Sequence, residues 1–570
     1  LPIPFRAVAT DVETGERVVL DQGDLVESML ASLAVPGVFS PVPIGDRLLI
    51  DGGITDNLPV DVVREQGADV VIAVDVGTPL MDREALRSAF GVLGQTTTFL
   101  TRKNTEPSLS TADLVVTPDL HDVSSAGFAL TATAIERGRA AALAMRDELS
   151  RYALDDAAWQ AYVVARRPPP PPPGRVTSIR VEGARRVDPR LVLGRMRVQP
   201  GDAVDVGALR DDLVRVFGLD YFSRVSLSFE PMTDGDTVVV RVEEKDWGPT
   251  YVRFGLEASD DLQGDAMYAV RASVTKTLLN RLGGEWRNDF QIGSVPLFRS
   301  ELYQPVEFRG RFFVSPWIEI LRQHPFLYDD AGNRFARYDV RSGTAGLDGG
   351  VQFGSAGEMR IGVTRSHVRA YADTGATGLP EYDLDAGGAH LQLRISTTDR
   401  PAIPTRGGEV TAGLDLSRQS LGAEADYDRA TLGGALFFGA GRHTGFLIAQ
   451  AASALGSTVP IYDEFALGGL FNLSGYAEGQ FRGSYGGSAG AGYHFRIAAL
   501  PAGLGKGVYV GGIAEGGNAW DTTAEISLDD LHYSFTVLLG ADTIAGPVFF
   551  AYGAGEAGST KLYLTVGRTF

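Results

Sequence analysis

From about residue 250 to the end of the chain, apolar residues recur at every second position. In "EVTAGLDLS" (409–417), Val410, Ala412, Leu414 and Leu416 fall on one face, and Glu409, Thr411, Asp415 and Ser417 on the other. "HLQLRIS" (390–396) alternates in the same way, with Leu391, Leu393 and Ile395 against His390, Gln392 and Arg394. "FTVLLGA" (535–541) repeats the pattern less strictly, and the final "KLYLTVGRTF" aligns Leu562, Leu564, Val566 and Phe570 with Arg568 as the exception. A period of two is the side-chain period of a strand. Roughly 320 residues of such dyads, separated by polar loops, predict an antiparallel transmembrane β-barrel. Such a barrel has to close, because an open sheet edge has no hydrogen-bond partner in hydrocarbon. No blade-length repeat supports a soluble propeller instead.

The pattern differs before residue 250. "FRAVAT" (5–10) and "ERVVL" (16–20) predict two strands around the turn Glu13-Thr14-Gly15. "DLVESMLASLAV" (24–35) predicts a helix capped by Asp24 and stopped by Pro36. "DRLLIDGG" predicts a strand running into a glycine turn, and "PVDVVREQG" (59–67) a helix closed by Gly67. "DVVIAVDVG" (69–77) is nearly all apolar and predicts a strand buried on both faces, while 131–154 predicts a long amphipathic helix. The first 150 residues therefore read as a layered α/β fragment. Six prolines at 168–173 predict a stiff polyproline II rod of roughly 19 Å. Residues 175–246 then read as strand, helix, helix, strand, strand, with Asp188 and Pro189 opening the first helix and Asp234-Gly235 turning between the last two strands.

Composition narrows the function classes. Among 570 residues there is no cysteine, which excludes disulfides, thiolate metal sites and a cysteine nucleophile. The net charge of -19 and the absence of a long basic run argue against nucleic acid as a partner. Glycine, at 70 residues, is in excess, mostly after 250. No apolar run reaches helix-spanning length. Residue 1 opens directly into a strand with no initiator methionine, so the chain is expected to be part of a longer protein.

"IRVEGARRVDP", "DLVRVFGLDYFSRV" and "DGDTVVVRVEEK" resemble a POTRA domain. Followed by a barrel ending in Phe570, they resemble the Omp85 superfamily, which implies sixteen strands and a sixth-loop motif of arginine, glycine and an aromatic. The matching stretch is "NLSGYAEG" (472–479), with Ser474, Gly475 and Tyr476. Serine stands where the family has arginine, so the salt bridge which that arginine makes inside the barrel is not expected here. "VATDVETGE" (8–16), "ASLAVPGVFSPV" (31–42), "DGGITDNLPV" (51–60) and "VIAVDVG" (71–77) resemble the C-terminal portion of a patatin-like phospholipase domain. The combination is similar to type Vd autotransporters. The expected domains are a patatin-like part over 1–160, a linker over 161–174, POTRA over 175–246 and the barrel over 247–570.

The patatin resemblance implies an acyl hydrolase with a Ser-Asp dyad, in which Asp51 of Asp51-Gly52-Gly53 is the base. Desolvation can raise a carboxylate's proton affinity enough for that role. Gly52 and Gly53 would let the backbone turn and keep space beside the carboxylate, and Asn57 and Pro59 would shape the loop and start the next helix. Asp56 is the local rival acid. Of the seven histidines only His121 falls in the α/β region, which leaves a histidine triad poorly supported. The one G-x-S-x-G match, "GGSAG" (486–490), runs on into a barrel strand instead of a strand-to-helix elbow. The serine is therefore expected upstream of Leu1, and this chain alone is expected to be inactive. The implied substrate is a phospholipid or other acyl lipid, with no cofactor and no metal. The implied setting is the bacterial outer membrane, with POTRA in the periplasm and the barrel assembly machinery as a partner. The other reading is an Omp85-type assembly or translocation protein carrying an inactive patatin remnant, whose POTRA strands receive clients by strand addition.

Overall fold

The computed structural model describes every residue except 1–2, 37–38, 78–79, 81–82, 84–88, 121–122, 124–129, 167–173, 233–234, 261–265, 330, 376–377, 501–503, 544–545 and 568–570. The proline run, His121, Asp234, Arg568 and Phe570 lie outside the described residues. The chain divides into two compact units, 1–171 and 172–570.

In the first unit a four-stranded antiparallel sheet has the order Arg17–Leu20, Ala7–Asp11, Arg47–Asp51, Val42–Ile44. The helix Leu25–Ser32 packs on it, burying Ala31 with Ala9, Val42 and Leu49. Asp24 caps that helix by accepting from the N–H groups of Val26 and Glu27. The helix ends earlier than the expected 35, because Leu33 leaves helical geometry and the Ala34 carbonyl accepts the Asp51 N–H at 3.0 Å. The expected strand over 69–77 shortens to Ile72–Val74, pairing in parallel with Leu114–Val116. Ala73 is buried, whereas Ile72 and Val74 are exposed, so burial on both faces does not hold. Among the described residues no layer covers that outer face. The expected long helix over 131–154 breaks at Met145 into Thr131–Ala144, Arg146–Leu149 and a short 3-10 turn, with no buried residue to hold a single register. Three further helices among the described residues, Val60–Glu65, Ala89–Leu109 and Asp156–Arg166, belong to the unit; the first answers to the helix expected over 59–67, and the last runs into the stretch read as linker.

The second unit begins with the expected βααββ order. Strand Val176–Glu182 pairs in parallel with Gly235–Glu244, which pairs antiparallel with Phe222–Met232. Helices Pro189–Arg195 and Val206–Phe217 cover one face, enclosing Leu191, Leu209, Val216, Phe222, Val238 and Val240. Asp188 and Asp205 cap the two helices. Asp212, fully buried, accepts from the N–H groups of Arg197 and Val198 and pairs with Arg215.

Antiparallel strands from Thr250–Asp260 to Thr560–Gly567 then close on one another. Phe312–Gln323 and Phe326–Tyr328 both pair with Arg334–Gln352 and share one wall position, which gives a sixteen-stranded barrel. The alternation sorts the faces as the sequence predicts. Phe254, Ile320, Ile361 and Phe535 are exposed on the outer wall, where lipid would solvate them. Inside, Arg360 bridges Glu301 and Glu358 at 2.7 Å each, and His390 lies 3.1 Å from Asp348.

Candidate functional site

Asp51 ends a central strand and caps the 3-10 turn Gly52–Ile54. Its Oδ1 accepts the Gly53 N–H at 2.7 Å, and Thr10 Oγ1 donates to its backbone carbonyl at 3.0 Å. Burial pushes the Asp51 carboxyl above its ordinary range, and the Gly53 hydrogen bond opposes that rise. Among the described residues this carboxylate has no cation partner and no serine or threonine hydroxyl donating to it. Asp56 differs, since Arg17 holds it at 2.6 Å and Asp61 at 2.7 Å.

Gly52 is required where it stands, and Gly53 lies against side chains. A Cβ on Gly52 would lie 2.2 Å from the Val8 carbonyl oxygen. One on Gly53 would sit 3.0 Å from Asp51 Oδ1 and 2.9 Å from Asn57 Oδ1, filling the space beside the carboxylate. Asn57 makes its contacts with the helix Ala89–Leu109. Its N–H donates to Asn104 Oδ1 at 3.1 Å and its Nδ2 to Thr105 Oγ1 at 3.2 Å. Neither Asn104 nor Thr105 was legible as a site residue, because the helix that carries them was not.

Ser488 of "GGSAG" lies within the strand Tyr485–Ala498, paired to Gln450 on one side and Gly517 on the other. It stands on no strand-to-helix elbow.

A second constellation sits inside the barrel. The loop over 454–484 folds back against the inner wall, where Ser474 is fully buried and Tyr476 nearly so. Glu515, from the strand Gly505–Trp520, accepts from Leu473 N–H at 3.1 Å, Ser474 N–H at 2.9 Å and Ser474 Oγ at 2.7 Å. Gly475 N–H donates to Ser534 Oγ at 2.9 Å, while Tyr563 OH donates to the carbonyls of Ser474 and Tyr476. Neutral donors thus hold this carboxylate where the resembling family uses a guanidinium. The exchange needs close backbone approach: a Cβ on Gly553 would lie 2.2 Å from the Ser474 carbonyl oxygen, and one on Gly475 would lie 2.3 Å from Gly555 N. Glu515 was missed from sequence, although a lone inward acid in "GGIAEGGNAW" was the available signal.

Comparison with known proteins agrees with this division. The patatin-like phospholipase family model matches residues 2–64, the POTRA model (surface antigen variable number repeat) 174–245, and the Omp85 superfamily domain 291–570. An uncharacterized NTE family protein of Mycobacterium bovis is 46% identical over 76 residues, 13% of this chain and 21% of the relative. The outer membrane protein assembly factor BamA of Nitratidesulfovibrio vulgaris is 33% identical over 105 residues, 18% of this chain and 13% of that protein. The chain therefore spans only a small part of these relatives' length. The crystal structure of BamA from Haemophilus ducreyi lacking POTRA domains 1-3 matches with a TM-score of 0.54 at 14% identity, covering 70% of this chain and 84% of that one, a likeness of fold.

Replacing Glu515 by Ala leaves three buried donors of the loop unpaired, at a cost of about 1–3 kcal/mol each before relaxation. The loop should then exchange amide hydrogens at 470–477 at least tenfold faster while the wall strands keep their protection. Unchanged exchange at 470–477 would show that this carboxylate does not hold the loop.

Proposed function

We infer that this chain, which joins a patatin-like phospholipase segment to a POTRA domain and an Omp85 superfamily barrel, belongs to an outer-membrane-anchored or self-secreted lipid acyl hydrolase with Asp51 as its base. The supporting observation is the Asp51 environment: a carboxylate at a strand end, raised by burial, free of cations, with a glycine, Gly53, beside it. The domain limits that go with this reading are 1–160 for the hydrolase part, 161–174 for the linker, 175–246 for POTRA and 247–570 for the barrel. The barrel serves as membrane anchor or translocator in the outer membrane, and POTRA lies on its periplasmic side.

The chemistry follows from the base. A serine hydroxyl loses its proton to Asp51 as its oxygen attacks the ester carbonyl, and backbone N–H groups stabilise the oxyanion. Asp51 returns the proton to the departing alcohol, leaving an acyl-enzyme. Water then attacks, giving a proton to Asp51, which passes it to the serine oxygen as the acyl bond breaks, so the fatty acid leaves and both groups are regenerated. The serine and the oxyanion loop are supplied by sequence of the parent protein beyond this chain, and residues 1–166 contain no G-x-S-x-G. Gly52, Gly53 and Asn57 shape the site, and no metal or cofactor takes part.

The two edge strands of the POTRA sheet, Val176–Glu182, whose outer side is paired only at Val176, and Phe222–Met232, favour a second reading, a protein assembly or translocation component with an inactive patatin remnant. Depletion would then lower the amounts of other outer-membrane proteins, whereas the hydrolase reading expects those levels to hold.

In the parent protein, Asp51→Asn should lower esterase turnover by about a thousandfold and leave barrel assembly intact; undiminished turnover would reject Asp51 as the base. Because a raised pKa moves the acid limb of turnover upward, activity should fall at a pH above the ordinary aspartate value of about 3.9. The same substitution tests burial in this chain. A carboxyl whose folded pKa is raised contributes stability below its unfolded pKa and loses it as pH rises through the folded pKa. Unfolding curves of the Asp51→Asn variant should therefore match or exceed the natural protein at pH 7, with that advantage vanishing below about pH 4.

A further inference from the structure

The acid loop is held from one side by a single amide. Asn104 lies in the last turns of the helix Ala89–Leu109 and reaches the loop across about fifty residues of chain. Its Nδ2 donates to the carbonyls of Gly53 at 3.0 Å and Ile54 at 2.9 Å, and its Oδ1 accepts the Asn57 N–H at 3.1 Å. An amide side chain has two donor hydrogens and one carbonyl oxygen, and here every group is turned onto the same five-residue stretch. Thr101, about one turn before Asn104, and Thr105, its neighbour, extend the contact. Thr105 Oγ1 accepts from Asn57 Nδ2, and Thr101 Cγ2 lies 3.5 Å from where a Gly53 Cβ would stand. Positions i, i+3 and i+4 share one face of a helix, so the whole face is committed to the loop.

Three features make this more than a packing contact. The clamped carbonyls belong to the residue whose N–H binds the Asp51 carboxylate and to its successor. The Gly53 N–H lies in the Gly52–Gly53 peptide, whose carbonyl accepts from the Thr55 and Asp56 N–H groups. The clamped Gly53 carbonyl lies in the next plane, joined to it through the φ and ψ of a residue with no side chain to restrict them, so holding that carbonyl limits rotation about Gly53. The alternatives are also poor: aspartate in place of Asn104 has no donor, and alanine has neither donor nor acceptor.

We propose that Asn104 is a positioning residue for the patatin-type reaction, fixing the Gly53 peptide so that the Asp51 carboxylate is held in the geometry a serine must meet. This rests on the reading of Asp51 as the base. The clamp acts through Asp51 and touches neither substrate nor the reacting atoms. A displacement of about 1 Å at a reacting group costs up to about a hundredfold in rate.

Two measurements separate this inference from that reading. In this chain, folded in detergent micelles, Asn104→Ala and Asn104→Asp should each speed amide exchange over 52–57 at least tenfold, with Ala7–Asp11 and Leu25–Ser32 unchanged. In the parent protein, Asn104→Ala should lower kcat by about ten- to a hundredfold with KM within about twofold. It should also move the acid limb upward, because a weaker Gly53 hydrogen bond no longer holds the Asp51 carboxyl down. A merely structural role would move neither the acid limb nor the kcat-to-KM split. If Asp51→Asn abolishes turnover while both Asn104 variants keep the natural exchange, kcat and acid limb, the clamp is overturned and the base assignment stands. If Asp51→Asn leaves turnover intact, the base assignment fails and the positioning role falls with it, whatever the exchange data show.

Discussion

The structure depends on one constraint, that every backbone N–H and C=O in the barrel wall must find a partner within the wall. Lipid offers none, so the sheet has to close. It closes between Thr250–Asp260 and Thr560–Gly567 through four paired positions, Glu257 to Asp260 against Gly567 to Leu564. The neighbouring seams are longer, with eleven pairs on one side of the first strand, Thr250 to Asp260 against Lys276 to Ala266. The alternation of the sequence follows from closure. A closed wall has an outside that must be apolar and an inside that need not be, and Gly553 and Gly555 leave room on the inside for the loop over 454–484.

Carboxylates held by backbone N–H groups recur through the chain. Asp51 takes the Gly53 N–H, Asp212 takes those of Arg197 and Val198, and Glu515 takes those of Leu473 and Ser474. A carboxylate carries about four lone-pair sites, and donors fixed by the backbone satisfy them with little entropy cost. The outcomes differ because the surroundings differ. Asp212 also has Arg215 and serves to lock the POTRA helices. Glu515 organises a loop. Asp51 has one such donor and no cation, and its carboxyl is raised.

The sequence was most legible where one local rule decided the outcome. Dyad alternation at Val410 to Leu416 placed wall strands, and Asp188-Pro189 placed a helix start. Asp51-Gly52-Gly53 reads as a strand end with a glycine turn, and the geometry gives a steric reason for Gly52. Reading failed where tertiary contacts overrode local preference. Ala89–Leu109 is rich in threonine and glycine, poor helix formers, yet its threonines turn their hydroxyls onto the preceding turn, Thr98 to Gly94 O and Thr105 to Thr101 O. Missing that helix meant missing Asn104. The apolar run over 69–77 predicts burial on both faces, but a run of that kind does not say how many layers cover it, and Ile72 and Val74 are exposed. Glu515 has a serine and two peptide N–H groups as partners in place of an arginine, so only the lone acid in "GGIAEGGNAW" marks it in the sequence.

Closure itself is open to direct measurement, since the chain has no cysteine to interfere. Ala258 faces Val566 across the seam, whereas Leu562 lies four residues away on the same strand. With Ala258→Cys and Val566→Cys introduced together, mild oxidation of the protein in membranes should give a disulfide between the first and last strands. Ala258→Cys with Leu562→Cys should give none. Absence of the first bond, or equal yield of the second, would contradict a barrel closed in this register.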